Sequence, residues 1–297
     1  MAVSLHSINN TTILCRSSSD SFPLHNYQIP LSSILLRPLR FPILKLNRLK
    51  VLSIRNHEIP VVEARCMDDI YDALAKRLLH MATTAVTSDS KYILGLAGSP
   101  GAGKSTLAAE VSRRVNILWT QRGLSTDSLV NSPDVSTVLP MDGFHLYRHE
   151  LDAMENPKEA HARRGAPWTF DPERLLACLK TLKDQGSVYV PSFDHGIGDP
   201  VEHDILVSVQ HKIVIVEGNY LLLEEGVWKE VSSLFNEKWF IELNIDVAMQ
   251  RVLKRHIATG KPPNVAKWRV DYNDRPNAEL INKSKKNADL VVKSVDF

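Results

Sequence analysis

Hydrophobic and polar positions along the chain fall into two periods. Tyr92-Ile93-Leu94-Gly95-Leu96-Ala97 and Ile213-Val214-Ile215-Val216 are unbroken apolar runs, the pattern of strands buried on both faces. Further strands are expected at Val135–Pro140, near 240–245 and near 289–293. Between them, apolar residues recur at helical spacing. Ile70, Leu74, Leu78 and Met81 share one face of a helix at about 68–82, and Leu107, Val111, Val115 and Leu118 share a stripe after residue 104. A helix at about 172–184 has Asp171 as its N-cap and Pro172 in its first turn, both favourable there. Another covers Val247–Ile257, a hairpin-like excursion fills 188–210, and the Ser/Asn/Asp/Pro-rich stretch 125–134 reads as a surface loop. Alternating strands and helices predict a three-layer α/β fold, a mainly parallel sheet with helices on both faces.

One strand–helix junction carries chemistry. Between the run at 92–97 and the helix stand Gly98-Ser99-Pro100-Gly101-Ala102-Gly103-Lys104-Ser105-Thr106, a complete phosphate-binding loop. Its glycines let the backbone curl so that successive N–H groups point at phosphate oxygens, and the helix end adds positive potential. Lys104 reaches the β/γ-phosphates and the Ser105 hydroxyl can ligate Mg²⁺. The chain therefore reads as a binder of a nucleoside triphosphate.

Two acidic residues follow strand candidates on the same expected rim. Val135–Pro140 runs into Met141-Asp142-Gly143-Phe144-His145, and Ile213–Val216 ends in Glu217-Gly218-Asn219-Tyr220. Ligands of open α/β sheets sit beyond the carboxyl ends of the strands. There Asp142 can take the proton of an attacking hydroxyl, or it is an ordinary turn Asp before Gly. Glu217 stands in the place of a metal-holding Walker-B carboxylate, or it merely ends its strand.

With these motifs in place the chain resembles the phosphoribulokinase/uridine kinase/pantothenate kinase family of P-loop kinases, and within it the uridine-kinase-like branch of bacteria, fungi and plants. The resemblance rests on GSPGAGKST at 98–106, PMDGFH at 140–145, RRGAPWTFD at 163–171, PSFDHGIGDP at 191–200, EGNYLL at 217–222 and NDRPN at 273–277, and it spans about 85–297. It implies a P-loop NTPase fold with a lid helix and a small strand excursion for the acceptor. It implies an ATP- and Mg²⁺-dependent kinase acting on a hydroxyl of a small metabolite, whether nucleoside, pantothenate-like compound or sugar. Asp142 matches the family's catalytic-base aspartate and Asp171 an element near the acceptor, where the Asp commonly binds substrate hydroxyls. Asp194 and His195 fall where the family places acceptor-binding residues, although Pro191-Ser192-Phe193-Asp194-His195-Gly196 departs from the uridine kinase pattern.

Arg251 and Arg255 lie four apart on one helix face. By spacing they read as a solvated basic face; the resemblance makes them lid residues that contact phosphates and stabilise the transferring group. Arg163 and Arg164 form a second pair, suited to an anionic acceptor. His145 reads as an acceptor or phosphate contact, and no HExxH or Cys–His spacing supports zinc. A P-loop ATPase, or a nucleotide-gated regulatory protein without a phosphoryl acceptor, stays as the alternative reading.

Composition divides the chain. Residues 1–64 contain 7 Lys/Arg, 3 Asp/Glu and 11 Ser/Thr, whereas 65–297 hold 29 Lys/Arg against 31 Asp/Glu. The acid-poor, Ser-rich start reads as an organelle transit peptide, more plastid than mitochondrial, leaving 65–297 as the kinase domain. Near-neutral charge and the lack of a basic stripe argue against nucleic acid as the partner. The apolar stretch 29–52 is too interrupted by Pro, Arg and Lys to span a membrane. Cys15, Cys66 and Cys178 form no disulfide or zinc pattern. A homo-oligomer stays open.

Overall fold

Four strands form the centre of the sheet because their apolar residues must be covered on both faces. They are met in order along a computed structural model that describes residues 50–52, 58–85, 90–123, 133–194 and 196–295, all within the unit Leu46–Phe297. First come β1 (Lys50–Leu52), β2 (Val61–Glu63), α1 (Met67–Ala85), β3 (Tyr92–Ala97), α2 (Lys104–Gly123) and β4 (Ser136–Pro140). A 3₁₀ turn (Met141–Phe144) leads to α3 (Arg148–Asp152), α4 (Pro157–Ala162), α5 (Pro172–Gln185) and the hairpin β5 (Val188–Asp194) and β6 (Asp199–Val207). Then follow β7 (Ile213–Gly218), α6 (Gly226–Ser233), β8 (Glu237–Glu242), α7 (Ile245–Ala258) and α8 (Pro263–Arg269). A π-helical turn (Val270–Asp274), α9 (Arg275–Lys283) and β9 (Leu290–Lys293) close the chain.

The main sheet has the order β1-β2-β9-β8-β3-β7-β4, parallel throughout except for the β1–β2 pair. Period-two alternation sends neighbouring residues into opposite cores. Leu94, Leu96, Ile213, Ile215, Trp239 and Ile241 pack with α1, α2 and α7, while Ile93, Val214, Val216 and Phe240 pack with α5 and α6. This is the α/β layering expected from the apolar runs. The helix stripes behave likewise: Ile70, Leu74, Leu78, Leu107, Val111 and Val115 are all buried.

Two expected boundaries move. β8 lies at 237–242 rather than 240–245, because Asn244 caps α7 by accepting from the Asp246 and Val247 N–H groups and takes the chain out of the sheet. At its other end Lys238 N donates to Asp289 at 2.8 Å, which extends the strand backwards. The folded unit also begins upstream of residue 65, since β2 at 61–63 pairs with β9 and adds to the sheet. Residues 125–132 of the expected loop and His195 lie outside the described residues, as does most of the leader. Among the described residues no helix is long and apolar enough to cross a membrane.

Buried polar groups fix the strand starts. Arg77 donates to Glu237 at 2.7 and 3.0 Å and Tyr92 OH donates to the other carboxylate oxygen at 3.0 Å, joining α1, β3 and β8. Lys91 donates to the Ser208 and His211 carbonyls at 2.8 and 2.6 Å, holding the start of β3 beside the β6–β7 connection.

The turn 141–144 is gripped from two sides. A methyl group on Gly143 would stand 1.9 Å from the Pro191 carbonyl oxygen, and one on Gly218 would stand 2.4 Å from Met141 Cβ. Pro191 sits at the register shift between Val190 and Ser192, a bulge where its missing N–H costs no ladder bond. Backbone of the β5–β6 hairpin thus lies directly on the turn that carries Asp142.

Two measurements test this account. Gly143→Ala should lower stability by about 1–3 kcal/mol through overpacking against Pro191; an unchanged urea midpoint would show that the hairpin yields freely. Burial, and after it the nearby Lys212, pull the Lys91 pKa from 10.5 to about 8. The folded chain then sheds this proton before the unfolded chain does, so stability should rise with pH between about 8 and 10.5. Thermal melts across that window should show the upward slope in wild type and a flatter one in Lys91→Met.

Candidate active site

Strand register decides which residues meet. Ala97 of β3 pairs with Gly218 of β7, and Glu217 pairs with both Leu96 and Pro140, so three neighbouring strands end on one rim. From β3 the chain enters the phosphate loop. Gly101 adopts φ +80 there, and a side chain on it would meet the Ala248 carbonyl oxygen of α7 at 2.5 Å. The Ala102 N–H donates to Ser99 O at 3.1 Å, closing the bend, and α2 begins at Lys104. Gly98, Ser99, Pro100, Gly101, Ala102, Gly103, Lys104, Ser105 and Thr106 therefore form one loop and helix start, as their spacing predicts.

A cavity of about 310 Å³ opens over this loop, and Lys104, Ser105, Asp142, Glu217, Asn219 and Arg255 all face it. Ser105 Oγ donates to Glu217 Oε1 at 2.9 Å. Among the described residues Lys104 Nζ hydrogen-bonds only to the Ser99 carbonyl, at 3.2 Å. Among the described residues the side chains of Asp142, Asn219 and Arg255 make no hydrogen bond or ion pair. Ser99 Oγ is buried without a partner. Unpaired polar groups crowded into one cavity are costly in an unliganded protein and mark a site built to receive a charged ligand.

Burial governs the charges. Loss of water pushes the Lys104 ammonium below its ordinary range, while Glu217 and Asp142 pull it back. Burial pushes Glu217 upward; Lys104 counters this, Asp142 adds to it, and the Ser105 hydrogen bond counters it. The donor set of a hydroxyl and carboxylates is all oxygen, the chemistry that suits Mg²⁺.

Arg251 and Arg255 extend from α7 toward the phosphate loop, Arg251 half-buried and Arg255 exposed. Arg251 donates to Gly101 O at 3.4 Å, and Arg255 lines the cavity. The acceptor-side candidates separate. His145 lies between Phe170 and Phe193, with centroids 3.9 and 4.6 Å away, and its Nδ1 is 2.8 Å from Asp142 O. Asp171 accepts from the Arg174 N–H at 2.8 Å, capping α5. Asp194 Oδ1 accepts from the N–H groups of Gly196 and Ile197 at 2.6 and 3.0 Å, shaping the hairpin tip. Arg164 donates to Leu146 O at 2.8 Å, to Asp199 Oδ1 at 3.2 Å and to Gly198 O. Its guanidinium is a clasp between the segment after Asp142 and the hairpin tip, and its buried Nε has no partner. Trp168 stands half exposed, and Tyr220 is buried, donating to Gly165 O at 2.5 Å.

Asn219 received no role from the sequence, although it sits inside the EGNYLL motif; a polar residue two positions past a strand-end carboxylate was the available signal. Arg148, which donates to Ile197 O at 3.1 Å, was also missed.

Residues 93–296 match the family described as Phosphoribulokinase / Uridine kinase family. The chain belongs to the phosphoribulokinase/uridine kinase family. A Schizosaccharomyces pombe protein, provisionally named a uridine kinase, is 35% identical over 80% of this chain and 94% of its own length. YggC of Escherichia coli is 32% identical over 79% of this chain and 92% of its own. Among solved structures, a Silicibacter protein provisionally named a fructose transport system kinase superposes with TM-score 0.63 at 28% identity, over 74% of this chain and 98% of that one. YFH7 of Saccharomyces cerevisiae superposes with TM-score 0.64 at 21% identity, over 76% and 99%. Phosphoribulokinase/uridine kinase membership makes the chain an ATP-binding P-loop kinase by fold.

Arg255→Met should weaken binding of a non-hydrolysable ATP analogue by about 10- to 100-fold, the weight of a charge-assisted contact. Unchanged affinity by calorimetry would remove Arg255 from the phosphate contacts.

Proposed function

We propose that this protein transfers the γ-phosphate of ATP to a hydroxyl of a small metabolite. The observation that carries the reading is the Asp142 carboxylate, without a hydrogen bond or ion pair among the described residues, facing Lys104 and Arg255 across one cavity over the phosphate loop. An unpaired carboxylate there suits a general base, because it can accept the acceptor hydroxyl's proton as that oxygen attacks. Loop N–H groups and Lys104 hold the phosphate oxygens, and Arg255 offsets the charge that spreads over the transferring group. Ser105 and Glu217 would hold Mg²⁺, which supplies further positive charge to the triphosphate. His145 rests against Phe170 and Phe193, its Nδ1 beside Asp142 O, on the side where the hairpin lies.

The family relationship supports phosphoryl transfer; the hydroxyl metabolite is our own extension, supported by the hairpin placed against the Asp142 turn. The test is phosphoryl transfer by the purified full chain with Mg-ATP and a pool of hydroxyl-bearing metabolites, read by mass spectrometry. A product that gains one phosphate should appear, and Asp142→Asn should slow its formation by about 10²–10⁴ while ATP affinity stays nearly intact. Equal turnover in Asp142→Asn overturns the base assignment. ADP formed alike with and without the pool, with no phosphorylated product, overturns the kinase reading in favour of ATP hydrolysis.

A further inference from the structure

The motif Asn273-Asp274-Arg275-Pro276-Asn277 lies away from the catalytic cavity, yet its first residues are among the best-anchored polar groups in the protein. Asn273 is only 1% exposed. The wider π-helical turn at 270–274 brings it inward. Asn277 Nδ2 donates to Asn273 Oδ1 at 3.0 Å, which fixes the amide orientation and leaves Asn273 Nδ2 to donate elsewhere. It donates to the Arg164 carbonyl at 3.0 Å, and Arg269 donates to the same oxygen at 3.2 Å. In return Arg163 donates to Tyr272 O at 2.5 Å.

Both ends of this network reach functional elements. Asp274 pairs with His256 at 2.7 Å, and His256 follows Arg255 directly on α7, the helix whose arginines approach the phosphate loop. At the other end, the Arg164 side chain holds Leu146, Gly198 and Asp199, which lie after the Asp142 turn and at the hairpin tip. Polar contacts, relayed by the main chain at 273–274 and by the length of the Arg164 side chain, therefore join α7 to the hairpin.

We infer that Asn273 is a positioning residue that couples the nucleotide side to the acceptor side, its amide fixing the Arg164 backbone so that movement of α7 on nucleotide binding is passed to the hairpin clasp. This rests on the reading above that α7 and the phosphate loop hold the nucleotide and that the hairpin flanks the acceptor. Coupling of this kind is reciprocal, so occupancy of the acceptor side tightens nucleotide binding by the same factor.

Hydrogen exchange of the full chain, with and without Mg-AMPPNP, tests it without knowledge of the acceptor. In wild type the nucleotide should slow exchange in the phosphate loop and also, by about threefold or more, in 163–171 and 196–199. In Asn273→Ala the phosphate loop should still be protected while the remote response disappears. Arg269→Met removes the second donor from a half-exposed position and should reduce the remote response, which covers the case in which Asn273→Ala does not fold. A remote response equal in wild type and variants, or absent in wild type, overturns the coupling. So does faster exchange at 163–171 in Asn273→Ala with the nucleotide response preserved, since that reports a structural bond alone. Lack of protection at the wild-type phosphate loop itself would sink the nucleotide-site reading, and the coupling with it.

Discussion

Everything in the site depends on how closely two backbones approach the turn 141–144. The end of β7 presses on Met141 at Gly218, and the bulge of β5 presses on Gly143 through the Pro191 carbonyl. Neither approach leaves room for a Cβ, so the turn is held by the Pro191 main chain against Gly143 on one side and by the Met141 side chain packed on the Gly218 main chain on the other. Asp142 is thereby fixed relative to Glu217 on one side and to the hairpin on the other. A carboxylate's position is only as precise as that of the segment carrying it, and here that segment is wedged.

Against that rigid frame, the charges of the site are deliberately unresolved. Lys104 and Glu217 are both driven by burial toward their neutral forms, yet each also feels the other's opposing charge. Asp142 and Arg255 face the same space without a hydrogen-bond or ion-pair partner among the described residues. A structural ion-pair network would close on itself, as Arg77, Glu237 and Tyr92 do at the far end of β3. The contrast between the satisfied cluster at one end of the strand and the unsatisfied cluster at the other separates stability from binding along a single element.

How much of this was legible in the sequence differs by physical cause. Period and glycine chemistry are local, so the buried strands, the helix stripes, the phosphate loop and the Asp171 cap can be read directly. The shift of β8 was not readable from Phe240 and Ile241, because its start is set by the distant Asp289 and its end by the Asn244 cap. β2 has only three residues and exists by pairing with β9, so its own pattern is too short to announce it. Acceptor-side residues were hardest. Asp171, Asp194 and Arg164 have the side chains a substrate site needs, but the same groups satisfy a helix start, a tight turn and a clasp, and only tertiary geometry tells these uses apart.

The manner of the hairpin's attachment has an evolutionary consequence. Part of its grip on the rest of the protein runs through main-chain atoms, the Pro191 carbonyl against Gly143 and the Gly198 carbonyl taken by Arg164, and part through the side chains of Asp199 and Glu202. Carbonyl oxygens are present whatever side chain stands beside them. Substitutions along β5 and β6 other than at Asp199 and Glu202 can therefore change the hairpin's exposed surface while its main-chain contact with the Asp142 turn is kept. A scaffold joined in this way lets recognition diverge from lineage to lineage without asking the chemistry to be invented again.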